Sequence, residues 1–249
     1  MRHFGFWLLA LFLIVDLRPS QSADLPRFRP ALPGTGPTAL INQIDTGDLL
    51  KKGQKDGAIM FCCRIAKAGD IVWSKTYRPM PGSDMLKAEV EKALKKVKFF
   101  PAIYEHQPVD AIYYGTVSFA VLDGKPRLRI LANQEPKELK GETDFIGPQP
   151  IIGGSSPFKG LHYPEQISVV MNGLGYLALK VDAEGNLRDL QVAGEEPALT
   201  PFGDAAAADF NKAKFIPAFR NGEPVESNIT LPVYYEPEHE GEEASLFEQ

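Results

Sequence analysis

The chain has 249 residues, 44% apolar and 24% charged, with a formal net charge of −5. That is globular composition, and the negative balance argues against nucleic-acid binding, which calls for a basic face. Gly and Pro, 22 and 21 residues, favour strands, turns and linkers over a helical bundle. The two cysteines are too few for a disulfide scaffold or a Cys-built zinc site. Length admits one large domain or two small ones.

The N-terminus reads Met1-Arg2-His3, then an apolar run from Phe4 to Val15. Small residues follow at Ser20-Gln-Ser22, so residues 1–22 read as a cleavable secretory signal peptide. A run of about 12 residues spans ~18 Å as helix, short of a ~30 Å hydrocarbon core. The alternative is an uncleaved inner-membrane anchor. Residues 23–45, with Pro26, Pro30, Pro33 and Pro37, read as a Pro-rich linker.

A repeat then sets the organisation. Lys96-Val-Lys-Phe99-Phe-Pro101-Ala102 and Pro108-Val109 return as Lys212-Ala-Lys-Phe215-Ile-Pro217-Ala218 and Pro224-Val225, both at an offset of 116. The same offset pairs Gly57 with Gly173, Gly69 with Gly185 and Leu86 with Phe202. The period is too long for a solenoid, so it denotes a duplicated domain. Unit one is placed at residues 46–132 and unit two at 158–236.

In unit one Phe61, Cys63 and Ile65 alternate inward, Gly69-Asp70 turns, and Ile71 to Tyr77 returns. Leu86, Val90, Ala93, Leu94 and Val97 then fall on one helix face, with Ser83 placed to cap it. Pro101 stops the helix. Val109 to Val121 alternate as a strand, Asp123-Gly124 turns, and Arg127–Leu131 follows as a short strand. Residues 133–157 read as a linker.

Unit two repeats the plan. Pro164 opens a short helix that Gly173 stops. Leu177, Leu179 and Val181 alternate, Asp182-Ala-Glu-Gly185 turns, and Leu187 to Val192 returns. Phe202, Ala206, Phe210 and Ala213 form the helix face, and Val225 to Tyr235 the last strand. Pro232 marks that strand as an edge or as bulged. The fold class is therefore α+β: two tandem small domains, each with a helix on a three-stranded antiparallel sheet in the order β-β-α-β after a short helix. Residues 237–249 read as an acidic, solvated, disordered tail.

The motifs of unit two resemble the TonB C-terminal domain family. They are Tyr163-Pro164, Gly173, Asp182-Ala-Glu-Gly185, Phe215-Ile-Pro217-Ala218 and Asn221-Gly222-Glu-Pro224-Val225. Unit one keeps Gly57, Gly69, Phe99-Phe-Pro101-Ala102 and Pro108-Val109, and resembles a diverged copy. The resemblance implies non-catalytic binding of a protein or peptide partner in the periplasm of a Gram-negative-type bacterium. It also implies that the partner adds a strand to a sheet edge, as a segment of an outer-membrane receptor does in TonB-type transport. The cleavable N-terminus and the short Pro-bearing stretch differ from TonB's anchor and long spacer, so the resemblance carries the fold rather than the motor role.

An edge strand exposes unpaired N–H and C=O groups that another chain can complete. The expected docking edge in unit two is Val225, Ser227, Asn228, Ile229, Thr230, Leu231 and Val233. Other constellations read as structural. His106 and His162 lie in loops of different units, His3 in the leader and His239 in the tail, so no metal, cofactor or catalytic set converges. Ser155 and Ser156 belong to the linker. Cys62 and Cys63 are neighbours on a strand, so their thiols point to opposite faces, with Cys63 in the core. Lys87, Lys92, Lys95, Lys96 and Lys98 read as a solvated helix face that suits the helix dipole. The expectation is an exported envelope protein that is not an enzyme, with no nucleic-acid partner and no membrane span in the mature chain. The alternatives are a scaffold that self-associates into homo-oligomers through sheet edges, or an anchored energy transducer.

Overall fold

The two alternating runs of each unit form hairpins in a computed structural model that describes residues 25–141, 144–167 and 169–237. The signal peptide expected at 1–22 lies outside the described residues, as does the tail beyond Pro237.

The short strand β1 (Phe28–Arg29) and helix α1 (Leu40–Gln43) lie ahead of unit one, which opens with α2 (Thr46–Lys51). Its hairpin is β2 (Gly57–Ile65) and β3 (Ile71–Tyr77), followed by α3 (Asp84–Leu94). Leu86, Val90, Ala93, Leu94 and Val97 are all buried, as the helical period requires. Ser83 is the residue at the cap position, but its hydroxyl makes no capping bond. Then come β4 (Ala102–Tyr104), the 16-residue β5 (Gln107–Leu122) and β6 (Lys125–Leu131).

β5 organises the sheet. One edge pairs with β2 from Ala111 to Phe119. Its other edge pairs with β4 at Val109, with β6 from Thr116 to Leu122, and at Asp110–Ala111 with β7 (Gln149–Ile152). The short helix α4 (Pro136–Lys140) precedes β7 in the stretch between the units. The three strands read from the sequence are thus the centre of an eight-stranded sheet that ends at β3.

Unit two contains β8 (Gly173–Val181), β9 (Leu187–Glu196), α5 (Phe202–Phe210), β10 (Phe215–Ile216), β11 (Ala218–Arg220), β12 (Glu223–Val225) and β13 (Ser227–Tyr235). Its main sheet has three strands in the order β13-β8-β9. Glu165–Gln166, expected to open a helix, forms a turn.

The repeat is visible in the contacts. Gly69 and Gly185 both hold positive φ, at 89° and 80°. Each accepts from an amide 30 residues on: Phe99 N–H to Gly69 O at 2.8 Å and Phe215 N–H to Gly185 O at 2.9 Å. The segment ahead of each unit also straps onto it. Arg29 pairs with Ile103 and Leu32 with Phe100; Ile146 pairs with Phe219 and Gln149 with Ile216. The straps stand 117 apart while their partners stand 116 apart.

Two cores result. The first lies between α3 and the face of β2 and β5 that carries Phe61, Cys63, Tyr113 and Val117. The second joins the opposite face of that sheet, with Cys62, Trp73, Ile112 and Tyr114, to the interior of unit two, with Phe202, Phe210, Leu231 and Tyr235. Cys62 and Cys63 therefore lie in different cores, both buried and free.

Candidate functional site

β13 is an edge strand: among the described residues it pairs with β8 from Ser227 to Tyr235 and with no other strand. The side chains of Ile229, Leu231 and Val233 lie opposite Leu179, Leu177 and Gly175, on the side that α5 covers. Asn228 and Thr230 alternate with them onto the open face. Val225 ends β12, opposite Ala218.

The outer edge of β13 is partly occupied. The Thr230 N–H donates to the Glu135 carboxylate at 2.9 Å. That bond points away from β8, so alternation also turns the backbone nitrogen of residue 232 outward. Proline stands there, so the missing N–H costs no ladder bond. Leu231, Pro232 and Val233 are buried, whereas Asn228 is exposed and Ile229 and Thr230 are half-buried.

Unit one supplies the cover. The Tyr77 and Tyr234 rings stack at 5.2 Å and 7°, Lys75 meets Glu236 at 2.5 Å, and Arg78 sits over the Tyr176 ring at 5.5 Å. The Tyr77 hydroxyl donates to the buried Gln134 at 2.8 Å, and the Gln134 amide donates to the carbonyls of Phe61 and Gly115. Burial pushes the Tyr77 and Tyr114 hydroxyls and the Cys62 thiol up, the last to about 12. All three stay neutral and act as packing groups.

The opposite edge is different. Among the described residues β9 pairs only with β8, and its 10 residues are exposed or half-buried throughout. The same alternation turns the Leu190 N–H outward, where it meets the neighbouring Asp189 carboxylate at 2.9 Å. A bulge opposite Tyr176/Leu177 interrupts the strand near its far end. Between the edges, the open face holds a shallow groove of about 320 Å³ that includes Lys180, Asp189, Gln191, Asn228 and Thr230.

One polar set escaped the sequence reading. His162 meets Asp209 at 2.7 Å through Nδ1 and donates its backbone N–H to the same carboxylate at 3.0 Å. The Tyr235 hydroxyl donates to Asp209 at 2.8 Å. Burial raises the Asp209 carboxyl, and the His162 and Tyr235 bonds oppose that shift. The partners are 47 and 26 residues apart in sequence, so no spacing announces them. The set ties the 158–164 segment and β13 to α5. Among the described residues no group of three or more His, Cys, Asp or Glu could hold a metal. Among them, too, no helix is long and apolar enough to cross a membrane.

These features define an α+β protein whose second unit presents a small sheet with one covered and one open edge. Residues 160–237 match the family model of the Gram-negative bacterial TonB protein C-terminal. The match covers nearly all of unit two and bears out the resemblance carried by Tyr163-Pro164 through Val225. Comparisons with curated proteins and with solved structures give no match.

Proposed function

We propose that this chain is an exported, non-catalytic envelope protein that binds an extended segment of a protein partner by strand addition to unit two. The observation that carries the reading is the outer edge of β9, which no strand of the described residues covers. Of the expected docking residues 225–233, those before Thr230 offer a second, shorter opening, because Glu135 bonds the Thr230 N–H and Leu231, Pro232 and Val233 are buried. The family match is the support for a link to TonB-type outer-membrane transport.

Site-specific photocrosslinking in cells tests this, with the probe at Gln191 on β9 or at Asn228 on β13. The expected result is a heterologous adduct from Gln191 that Leu190→Pro abolishes, since that proline removes an outward N–H. Absence of any adduct from both positions refutes strand addition. Adducts of the chain only with itself favour the second reading, a self-associating scaffold, which rests on β3 and β9 both ending their sheets. Recovery of residues 1–22 in the membrane fraction would instead favour an anchored transducer.

A further inference from the structure

We propose that the acidic segment 238–249 docks on its own chain, in a lysine-lined groove between the free edge of β3 and the C-terminal end of α3. Two contacts set the course of the chain towards it. Tyr234 stacks on Tyr77, and Glu236 pairs with Lys75. A step of two residues forward in the C-terminal strand matches a step of two back along β3, which is antiparallel progression. Continued at that pitch, Glu238 reaches the level of Trp73 and Glu240 that of Ile71.

The groove begins there. It measures about 420 Å³, and its lining includes Val72, Trp73, Leu94, Lys95, Lys96 and Lys98. Lys98 holds Asp70 at 3.2 Å, at the exposed rim. Lys95 and Lys96 are exposed and make no ion pair among the described residues. Val72 is 37% exposed and gives the groove an apolar wall.

The segment complements this lining. It carries Glu238, Glu240, Glu242, Glu243 and Glu248, with no Lys or Arg, and the apolar pair Leu246-Phe247. Reach is ample. The stretch from Lys75 to Ile71 covers ~13 Å at strand rise, whereas ten residues beyond Glu236 extend up to ~33 Å. β3 ends its sheet, so the segment can cross its free edge to the α3 side without displacing a strand. Docking there also covers that edge.

Carbodiimide crosslinking of the full chain at low ionic strength, mapped by mass spectrometry, is the first test. Expected are intrachain bonds from Glu238, Glu240, Glu242 or Glu243 to Lys95, Lys96 or Lys98, falling at least fivefold in 0.5 M salt as screening predicts. The second test titrates labelled peptide 238–249 into the chain truncated after Pro237. Its affinity should fall at least tenfold in K95E/K96E/K98E, and measurably in the milder K95Q/K96Q if the triple variant does not fold. Crosslinks spread evenly over Lys51, Lys87 and Lys137 overturn the proposal. So do crosslinks found only between two chains, or peptide binding indifferent to these lysines.

Discussion

Replacing Gly185 by Ala tests a contact that recurs at Gly69. Gly185 has φ +80°, which costs an L-residue about 1–2 kcal/mol. An added Cβ would also overlap the Phe215 carbonyl oxygen, a backbone atom that no rotamer change can move. Relief by a backbone shift adds about 1–3 kcal/mol, and weakening the 2.9 Å bond from Phe215 N–H adds about 1 kcal/mol. The sum is about 4 kcal/mol, or a Tm lower by about 8–16 °C for a chain of this size. Gly69→Ala should cost a similar amount, since its Cβ meets the Phe99 carbonyl in the same way. Gly222→Ala is the control: its φ is +79°, but no atom stands within 4 Å of the added carbon. It should cost only the conformational part, about 1–2 kcal/mol. Urea and thermal unfolding of the three variants decide the matter. A Gly222→Ala penalty equal to that of Gly185→Ala would refute the steric argument.

A double-mutant cycle on Tyr77 and Tyr234, read by urea unfolding, should give a coupling of about 0.5–1.5 kcal/mol, and a coupling near zero would mean the stack does not hold the units together. Burial by itself would raise the Asp182 carboxyl, but hydrogen bonds from Asn186 and Arg188 outweigh it and hold the group below the usual carboxylate range. A depressed folded pKa gives stability that is present above the ordinary value of about 3.9 and is lost as pH falls through the folded one; Asp182→Asn should therefore flatten the acid limb of a stability–pH curve below about pH 4. Burial pushes the Cys62 thiol to about 12 and raises Cys63 as well. Both should resist a thiol reagent at mildly alkaline pH in the native protein and react on denaturation, and stoichiometric labelling of the native chain would contradict their placement.

The hairpins and the two long helices were legible because a period of two or of 3.6 over seven or more residues leaves few readings. Pro232 likewise announced an edge, and the outward turn of residue 232 explains its place there. The straps were not legible. Strands of two to four residues carry no period, and tertiary pairing decides them. One faint signal existed: Phe28 and Phe145, like Pro33 and Pro150, stand 117 apart, one residue out of step with the main repeat. The cover over β13 was also hidden, since alternation identifies an outward face but not what meets it. Cys62, Trp73, Ile112 and Tyr114 on that face are too apolar for solvent, and this was the clue to a partner surface.

That same face has no apolar counterpart in unit two. Unit one offers a sheet face to an edge of unit two, a head-to-tail contact between related modules. Repeated, such contacts close into rings or build open filaments. At the repeat offset, Trp73 becomes Asp189, Ile112 becomes Asn228 and Tyr114 becomes Thr230. The surface on which a third module would sit is thus polar, and half-buried Lys180 replaces buried Arg64 within it. A third module would therefore find no apolar seat on unit two.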